Sequence, residues 1–414
     1  MIQSVRGFKD IFGKEAVCWQ ILEEIIKDAF RKWGFEEVRT PMLEKTELFE
    51  RGIGDDTDIV EKEMYTFTDK GGERVTLRPE GTASVIRLFN EHKLYGTDRL
   101  FKFFYLGPMF RYERPQKGRL RQFHQAGVEL LGDPSPRAEL EVITLLVFIV
   151  ERLGIHNTVL KINSLGCSEC RKAFRESLIS YYNNKEESLC TDCKRRLKTN
   201  PLRLIDCKSE GCRELGKDAP KITSYLCDDC KSHFISLKGL LKEQNIPFTE
   251  APDIVRGLDY YNRTVFELHS SDLGAQSALL AGGRYDSLSS DLGGLSIPAV
   301  GWAMGMERVA SIINNERLSK EENAVFVAFV GDEAERETLV LVNELRKAGI
   351  KTEFDILKGS LKSQFRRADK VGARWVIVIG ENEIKTGLYQ IKDMAKGEQR
   401  PLPKSEIINF LRQL

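Results

Sequence analysis

Arginine is the residue through which this chain offers most chemistry. Between Gly107 and Phe123, Arg111, Arg114, Arg119 and Arg121 crowd, with Lys117, into the loop joining two short apolar strands. Guanidinium groups so placed can grip carboxylate or phosphate oxygens two at a time, which an ammonium cannot do. The strand that follows alternates: Gln125, Gly127 and Glu129 share one face, and Ala126, Val128 and Leu130 share the other. Glu129 beside a glycine suits a cleft for a cationic or hydrogen-bonding ligand, while an exposed edge hairpin with a solvated face serves the same spacing. At Arg78-Pro79-Glu80-Gly81-Thr82 a strand gives way to a helix. A carboxylate and a hydroxyl there either cap the helix or line a site. Further on, Arg256-Gly257-Leu258-Asp259-Tyr260-Tyr261 precedes Gly282-Gly283-Arg284-Tyr285-Asp286. If the Tyr260-Tyr261 segment is a strand, only one of the two rings can enter the core. The paired glycines allow close backbone approach, to a ligand or to another strand. Gly301 to Val309 leads a glycine-flanked strand into a helix that carries Arg308, either beside a cleft or on the open surface.

Eight of the nine cysteines fall between Cys167 and Cys230, as four close pairs: Cys167 with Cys170, Cys190 with Cys193, Cys207 with Cys212, and Cys227 with Cys230. Nothing at the start, Met1 to Gly7, has the apolar core of a secretory signal, so metal binding is a better reading than a disulfide framework. Eight thiolates suffice for two tetrahedral Zn²⁺ sites. The pairs combine in three ways, which spacing does not decide, and His233 could replace one ligand. A set of reduced, buried thiols is the plain alternative. The same segment holds Lys194 to Arg203, a run with no acid, read either as a solvated helix face or as an arm for phosphates.

These groups need elements to position them. Glu15 to Trp33 repeats apolar residues at three and four, ending at Gly34, which predicts an amphipathic helix. Phe35 to Pro41 reads as a short strand broken by proline. Val75–Leu77, Leu100–Leu106, Phe123–Leu130 and Thr264–Leu268 read as strands, with another near Val300. Helices are predicted from Thr82 to about His92 and through Met306 to Ile313. Without regular strand–helix alternation, this predicts an α+β domain on an antiparallel sheet, residues 1–322, interrupted at 167–240 by a Cys-rich, mostly helical insertion. After the polar run Asn314 to Glu322, the chain changes to alternating strands and helices, predicting a small α/β domain over 323–414. With 63 basic against 62 acidic residues among 414, the net charge is +1, so any polyanion must be met by local patches. At 41% hydrophobic and 30% charged, with its most apolar stretch at Leu140 to Val150, the sequence predicts a folded cytoplasmic enzyme and no membrane partner.

Taken in this order, the motifs resemble the class II aminoacyl-tRNA synthetases, most closely the histidine-specific family. The likeness runs along essentially the whole chain. Gly34 to Glu44 is similar to the first class II motif, a dimer element. Phe101 to Gly132, with Phe110-Arg111-Tyr112-Glu113, is similar to the second, and Ala299 to Ala310 to the third. Arg256 to Tyr261 and Gly282 to Asp286 resemble the two histidine-specific signatures. Arg6 to Asp10 fits the family's opening, although Phe12-Gly13 stands where Leu-Pro is more usual. The tail resembles the anticodon-binding domain of the subclass.

The resemblance implies a homodimer that joins L-histidine to ATP and transfers it to the 3′ end of tRNA-His. It implies that Arg111 bridges carboxylate and α-phosphate, Arg256 flanks the α-phosphate, Arg308 holds the γ-phosphate, Arg119 assists, and Mg²⁺ sits on the outer phosphates. Glu80, Thr82 and Gln125 would surround the α-amino group. Glu129 and Tyr261 would contact the imidazole, with Tyr260 and Tyr285 as neighbours. Two other readings remain at this point: the synthetase-like regulatory subunit of ATP phosphoribosyltransferase, and a zinc-dependent nucleic-acid-binding regulator built around the insertion.

Overall fold

The computed structural model describes residues 1–54, 57–96, 100–115, 119–255, 257–274, 277–313 and 324–413. Arg256, the loop residues Gln116 to Gly118, and the run Asn314 to Asn323 lie outside the described residues. The chain divides into two compact units, Met1–Leu318 and Ser319–Leu414.

In the first unit the chain runs through α1 (Lys14–Lys32), β1 (Glu36–Glu37), β2 (Leu43–Lys45), α2 (Thr46–Ile53), β3 (Tyr65–Thr68), β4 (Arg74–Leu77) and α3 (Thr82–Glu91). It continues with β5 (Phe101–Phe110), β6 (Gln122–Leu131), α4 (Pro136–Arg152) and β7 (Thr158–Ser164). The insertion supplies α5 (Ser168–Asn183), α6 (Thr191–Thr199), α7 (Glu210–Gly216) and α8 (Asp228–Glu243). The unit closes with β8 (Phe248–Glu250), β9 (Asn262–Ser270), β10 (Ala278–Arg284), α9 (Leu288–Asp291), β11 (Ala299–Gly305) and α10 (Met306–Ile312).

Eight strands form the main sheet in the order β1-β5-β6-β11-β10-β9-β7-β8. All its neighbours are antiparallel except the edge pairs β1–β5 and β7–β8. The fold class is the expected α+β one, because most of these strands are joined by turns or by excursions rather than by single crossover helices. One face is covered by α1, α4 and α8. There Leu22, Ile26 and Phe30 pack with Val142, Leu145 and Leu146, and with Ala126, Val128 and Leu130 of β6. The Leu140 to Val150 stretch is thus a core helix. The other face carries Phe101, Phe103, Tyr105, Tyr260, Tyr261 and Tyr285. A small antiparallel sheet, β2-β4-β3, flanks it.

The second unit is a five-stranded mixed sheet, β13-β12-β14-β15-β16, from β12 (Val325–Phe329), β13 (Thr352–Phe354), β14 (Trp375–Ile379), β15 (Leu388–Asp393) and β16 (Gln399–Pro403). β12 pairs in parallel with both β13 and β14, and helices Asp332–Lys347 and Leu361–Lys370 make those crossovers. The terminal β15–β16 hairpin is antiparallel.

Candidate active site

The polar face of β6 lies at the centre of the main sheet and builds the site. Glu129 stands opposite Phe103 on β5 and Gly301 on β11, Gly127 opposite Tyr105 and Ala303, and Gln125 opposite Gly107 and Gly305. The predicted alternation holds; the exposed edge hairpin does not, because strands flank β6 on both sides. Glycine is required at two of these partners. A Cβ on Gly301 would stand 1.9 Å from Glu129 Oε2, and one on Gly127 would stand 2.4 Å from the Tyr105 ring. The carboxyl and the phenol occupy the room those glycines leave.

Helix α3 delivers the next groups. Glu80 Oε2 accepts from the Thr82 amide and Oε1 from the Ala83 amide, both at 2.8 Å. Glu80 is therefore a helix cap and a cleft residue at once. Thr82 Oγ1 donates to Glu129 Oε1 at 2.6 Å, and the Tyr285 hydroxyl donates to Glu129 Oε2. Glu129 is fully buried. Burial, seconded by the charge of Glu80, pushes its carboxyl up to about 8 despite the bonds from Thr82 and Tyr285. Burial also raises Glu80. Burial thus favours the protonated form of the Glu129 carboxyl near neutral pH.

Tyr260 and Tyr261 are both buried, at 5% exposure each, with ring centroids 4.6 Å apart and Tyr285 5.6 Å from Tyr260. The segment is a turn that ends where β9 begins at Asn262, so the alternation of a strand does not apply and both rings reach the pocket. The Tyr260 hydroxyl lies 3.5 Å from Glu80 Oε2.

The cleft above these groups is lined by Glu80, Thr82, Arg111, Glu113, Arg119, Gln125, Tyr260, Tyr261, Glu307 and Arg308, among others. Glu129 and Tyr285 lie directly behind Thr82, just beyond this wall. Arg111 donates Nε to the Pro79 carbonyl at 2.9 Å and stacks over Phe123; Arg119 pairs with Glu113 at 2.7 Å; Arg308 donates to the Ala278 carbonyl at 2.6 Å. Burial, then the charge of Arg119, lowers the affinity of Arg308 for its proton. Three cations brought this close signal a place prepared for anionic charge. Two acceptors in this region have no partner among the described residues: Gln125 Oε1 and the Tyr105 hydroxyl.

The family model described as histidyl-tRNA synthetase matches residues 7–191 and 212–309, and the anticodon-binding domain model matches 324–414. The chain belongs to the histidyl-tRNA synthetase family. It is 50% identical over 410 residues to the histidine–tRNA ligase of Thermodesulfovibrio yellowstonii, covering 99% of this chain and 98% of that protein. It is 49% identical over 403 residues to that of Geobacter sulfurreducens, covering 97% of each. The apo histidyl-tRNA synthetase structure from S. aureus superposes with a TM-score of 0.85 at 34% identity, covering 100% of both chains. The fold is accordingly a class II catalytic domain followed by an anticodon-binding domain. The regulatory-subunit reading is the weaker one, since both family models match in full order and the named relatives are ligases.

The second histidine signature divides between two tasks. Tyr285 faces Glu129, but Arg284 is fully buried on the opposite side, where it pairs with Glu139 through two bonds, one of 2.9 Å, and donates to the carbonyls of Asp133 and Ser135. His233 Nε2 lies 2.6 Å from the same Glu139, so this histidine belongs to the core network and not to a cysteine cluster. Burial opposes the charge on Glu139, yet the hydrogen bonds from Arg284 and His233 bring its carboxyl down to about 2. Gly282 and Gly283 serve strand packing: a Cβ on either would strike a neighbouring carbonyl, Gly301 at 2.4 Å or Thr264 at 2.6 Å.

The family model passes over 192–211, inside the insertion. Here the thiols separate into two quartets, Cys167/Cys170/Cys227/Cys230 and Cys190/Cys193/Cys207/Cys212, each with its four Sγ atoms within 4.8 Å of one another. Each group could hold a metal. Most of the basic run is engaged within the chain: Arg195 pairs with Glu61, Arg196 with Asp58 at 3.1 Å, Arg203 with Asp58 at 3.5 Å, and Lys198 with Glu186 at 3.5 Å. It is neither a merely solvated face nor a wholly free arm. Residue type and spacing did not mark Glu113 as a cleft residue; its place two residues after Arg111 was the one available hint. Among the described residues, no helix is long and apolar enough to cross a membrane.

Proposed function

We propose that this chain is a histidine–tRNA ligase whose reaction runs in the cleft between Arg111, Arg308 and the Glu129 pocket. The observation that carries the reading is the juxtaposition of a three-arginine wall with a buried carboxyl and paired tyrosines, in a chain alike to histidyl-tRNA synthetases over its whole length.

The histidine carboxylate attacks the α-phosphorus of ATP and pyrophosphate departs with the electrons of the broken P–O bond. In the second step a hydroxyl of the terminal adenosine of tRNA-His attacks the activated carbonyl and AMP departs. No protein nucleophile is needed; alignment and preorganised positive charge supply the catalysis. Arg111, fixed through Pro79, would bridge the substrate carboxylate and the α-phosphate. Arg308 would hold the γ-phosphate, Arg119 would assist, and Arg256, outside the described residues, would flank the α-phosphate from the other side. The cleft also offers Glu113 as a carboxylate beside the phosphate-binding cations, which would help to hold a Mg²⁺ ion brought with ATP. That ion would neutralise charge on the leaving pyrophosphate.

Gln125 Oε1, without a partner, and Glu80 suit the α-amino group, with Thr82 beside them. Glu129 and Tyr261 suit the two imidazole nitrogens, with Tyr260 and Tyr285 setting their positions. A site that bonds both nitrogens rejects isosteres that lack them by about 10⁴ or more. Residues 1–322 would form the catalytic domain, with the insertion at 167–240, and 323–414 the anticodon-binding domain. A homodimer is supported by exposed Met42 and Leu43 on the Gly34–Glu44 segment, and a cytoplasmic location follows from the reaction's substrates. Charging of total tRNA with labelled histidine tests the whole reading; no charging with histidine, or equal charging with other amino acids, would refute it.

A further inference from the structure

Three of the cysteine pairs open a helix in the same way. Cys167, Cys190 and Cys227 are the residues preceding α5, α6 and α8, and their partners Cys170, Cys193 and Cys230 lie in the first turn. Both thiols of each pair thereby face one point. Around a tetrahedral ion with metal–sulfur bonds of about 2.3 Å, neighbouring sulfurs stand about 3.8 Å apart. The separations are 3.5 Å for Cys167–Cys170, 4.0 Å for Cys167–Cys227 and 3.8 Å for Cys190–Cys207. Backbone amides also point at the sulfurs: Cys227 N to Cys170 Sγ at 3.1 Å, Cys190 N to Cys212 Sγ at 3.2 Å and Ser209 N to Cys207 Sγ at 3.4 Å. Such donors stabilise thiolates, the form that binds a metal. All-sulfur tetrahedral sites closed on four sides favour Zn²⁺ in a structural role.

Both quartets adjoin the segment that carries Tyr260 and Tyr261. On the Cys167 side, Arg171, next to Cys170, donates to the Tyr261 carbonyl at 3.1 Å. Arg263 gives its amide to the Gly166 carbonyl at 2.9 Å and its guanidinium to Asp229, between Cys227 and Cys230, at 2.5 Å. On the Cys190 side, Asn200, between Cys193 and Cys207, donates to Asp259 Oδ2 at 3.1 Å, while Arg195, Arg196 and Arg203 hold Glu61 and Asp58. The segment 259–263 is thus braced at each end by residues that a metal would fix.

We propose that each quartet holds one Zn²⁺ and that the two ions set the position of the Tyr260–Tyr261 wall, which makes the insertion a positioning device for the amino-acid site. The metal half stands on thiol geometry alone; the positioning half rests on the histidine reading of the cleft.

Full-length protein purified without chelator should contain two zinc ions per chain by elemental analysis, and Cys190→Ser with Cys207→Ser should lower this to one. Less than one zinc per chain, or iron in its place, overturns the metal half. Because loss of a quartet can unfold the insertion, positioning is tested with Arg171→Ala and Asn200→Ala, which keep all eight thiols. Both should retain two zinc ions, raise KM for histidine in pyrophosphate exchange by about 3- to 10-fold, the worth of one hydrogen bond, and leave KM for ATP within about twofold. Arg171→Lys should recover part of the loss. Unchanged KM for histidine, or equal loss for ATP, overturns the positioning half, as does a wild type without histidine-dependent exchange; that last result sinks the histidine reading and leaves the zinc count standing.

Discussion

Replacing Glu129 by glutamine keeps the shape of the side chain and removes its ability to carry charge. In the free protein burial pushes the carboxyl up to about 8, so at pH 7 roughly nine molecules in ten would hold the proton. Free imidazole titrates near 6.5 and arrives mostly neutral. If Glu129 meets the imidazole, the bound pair shares one proton across the pH range between these values. Below about 6.5 binding must expel a proton, and above about 8 it must take one up. For the wild type, kcat/KM for histidine should therefore be flat between about 6.5 and 8 and fall tenfold per pH unit beyond each limit. The glutamine variant should lose the upper limb and keep the lower. At pH 7 it exchanges a charge-assisted hydrogen bond for a neutral one, a loss of about 1–2 kcal/mol, or about 5- to 30-fold in kcat/KM for histidine. KM for ATP should stay within about twofold. Stability provides a second readout. A folded pKa of about 8 against 4.5 unfolded means that the native state binds the extra proton between these values. This contribution is fully present below 4.5 and is lost as pH rises through 8, at about 1.4 kcal/mol per unit, about 5 kcal/mol in all. The urea stability of Glu129→Gln relative to wild type should accordingly rise steadily from pH 5 to pH 8. An upper limb that survives in the variant, or a stability difference independent of pH, would show that Glu129 is not the protonated group facing the substrate.

Arg256→Ala should reduce histidine-dependent pyrophosphate exchange by about 10²-fold or more while equilibrium binding of histidine persists; exchange near the wild-type rate would remove Arg256 from the phosphate site. Arg284→Met should cost about 3–5 kcal/mol in urea unfolding, since it strands the buried Glu139 charge. Adding Glu139→Gln should return much of that loss, and strictly additive effects would contradict the ion-pair account. Gly301→Ala places a methyl against Glu129 Oε2 and the Val128 carbonyl, at 1.9 and 2.3 Å. It should lower stability by about 1–3 kcal/mol and raise KM for histidine, and a variant with wild-type thermal unfolding would deny the close approach.

Periodic elements were legible wherever one face meets a core. The periodicity of residues 15–33 predicts a helix, and α1 spans Lys14–Lys32. Shorter stretches depended on partners far along the chain. Phe35 to Pro41 yields only Glu36–Glu37 as strand, because its ladder is a brief parallel pairing with Phe103 and Phe104 at the sheet edge. β7 and the β15–β16 hairpin carried too little pattern to be read, although each is fixed by long antiparallel registers. The strand condition on the tyrosine pair does not apply, because the turn ends just before β9.

The same limit governs the site. Residue type announced what a group can do, while the partner decides what it does, and partners sit at sequence separations that no local pattern carries. Arg284 and Arg308 both lie close to glycines, yet Arg284 is fully buried against Glu139, 145 residues away, and Arg308 lines the cleft. Arg195 and Arg196 formed part of a run suited to polyanions, but their acids are Glu61 and Asp58, on the far side of the catalytic chain in sequence. The near-zero net charge hides this, since cancellation in the total is silent about whether each arginine is spent internally. In the insertion many are spent; in the cleft Arg111 reaches a carbonyl through Nε, and the Glu113 carboxylate lies 4.0 Å from Nη1. That contrast in strength, and not the count of arginines, identifies where an anionic substrate gains most: a guanidinium held by a backbone carbonyl keeps its charge on offer, whereas one locked to a buried carboxylate has already been neutralised.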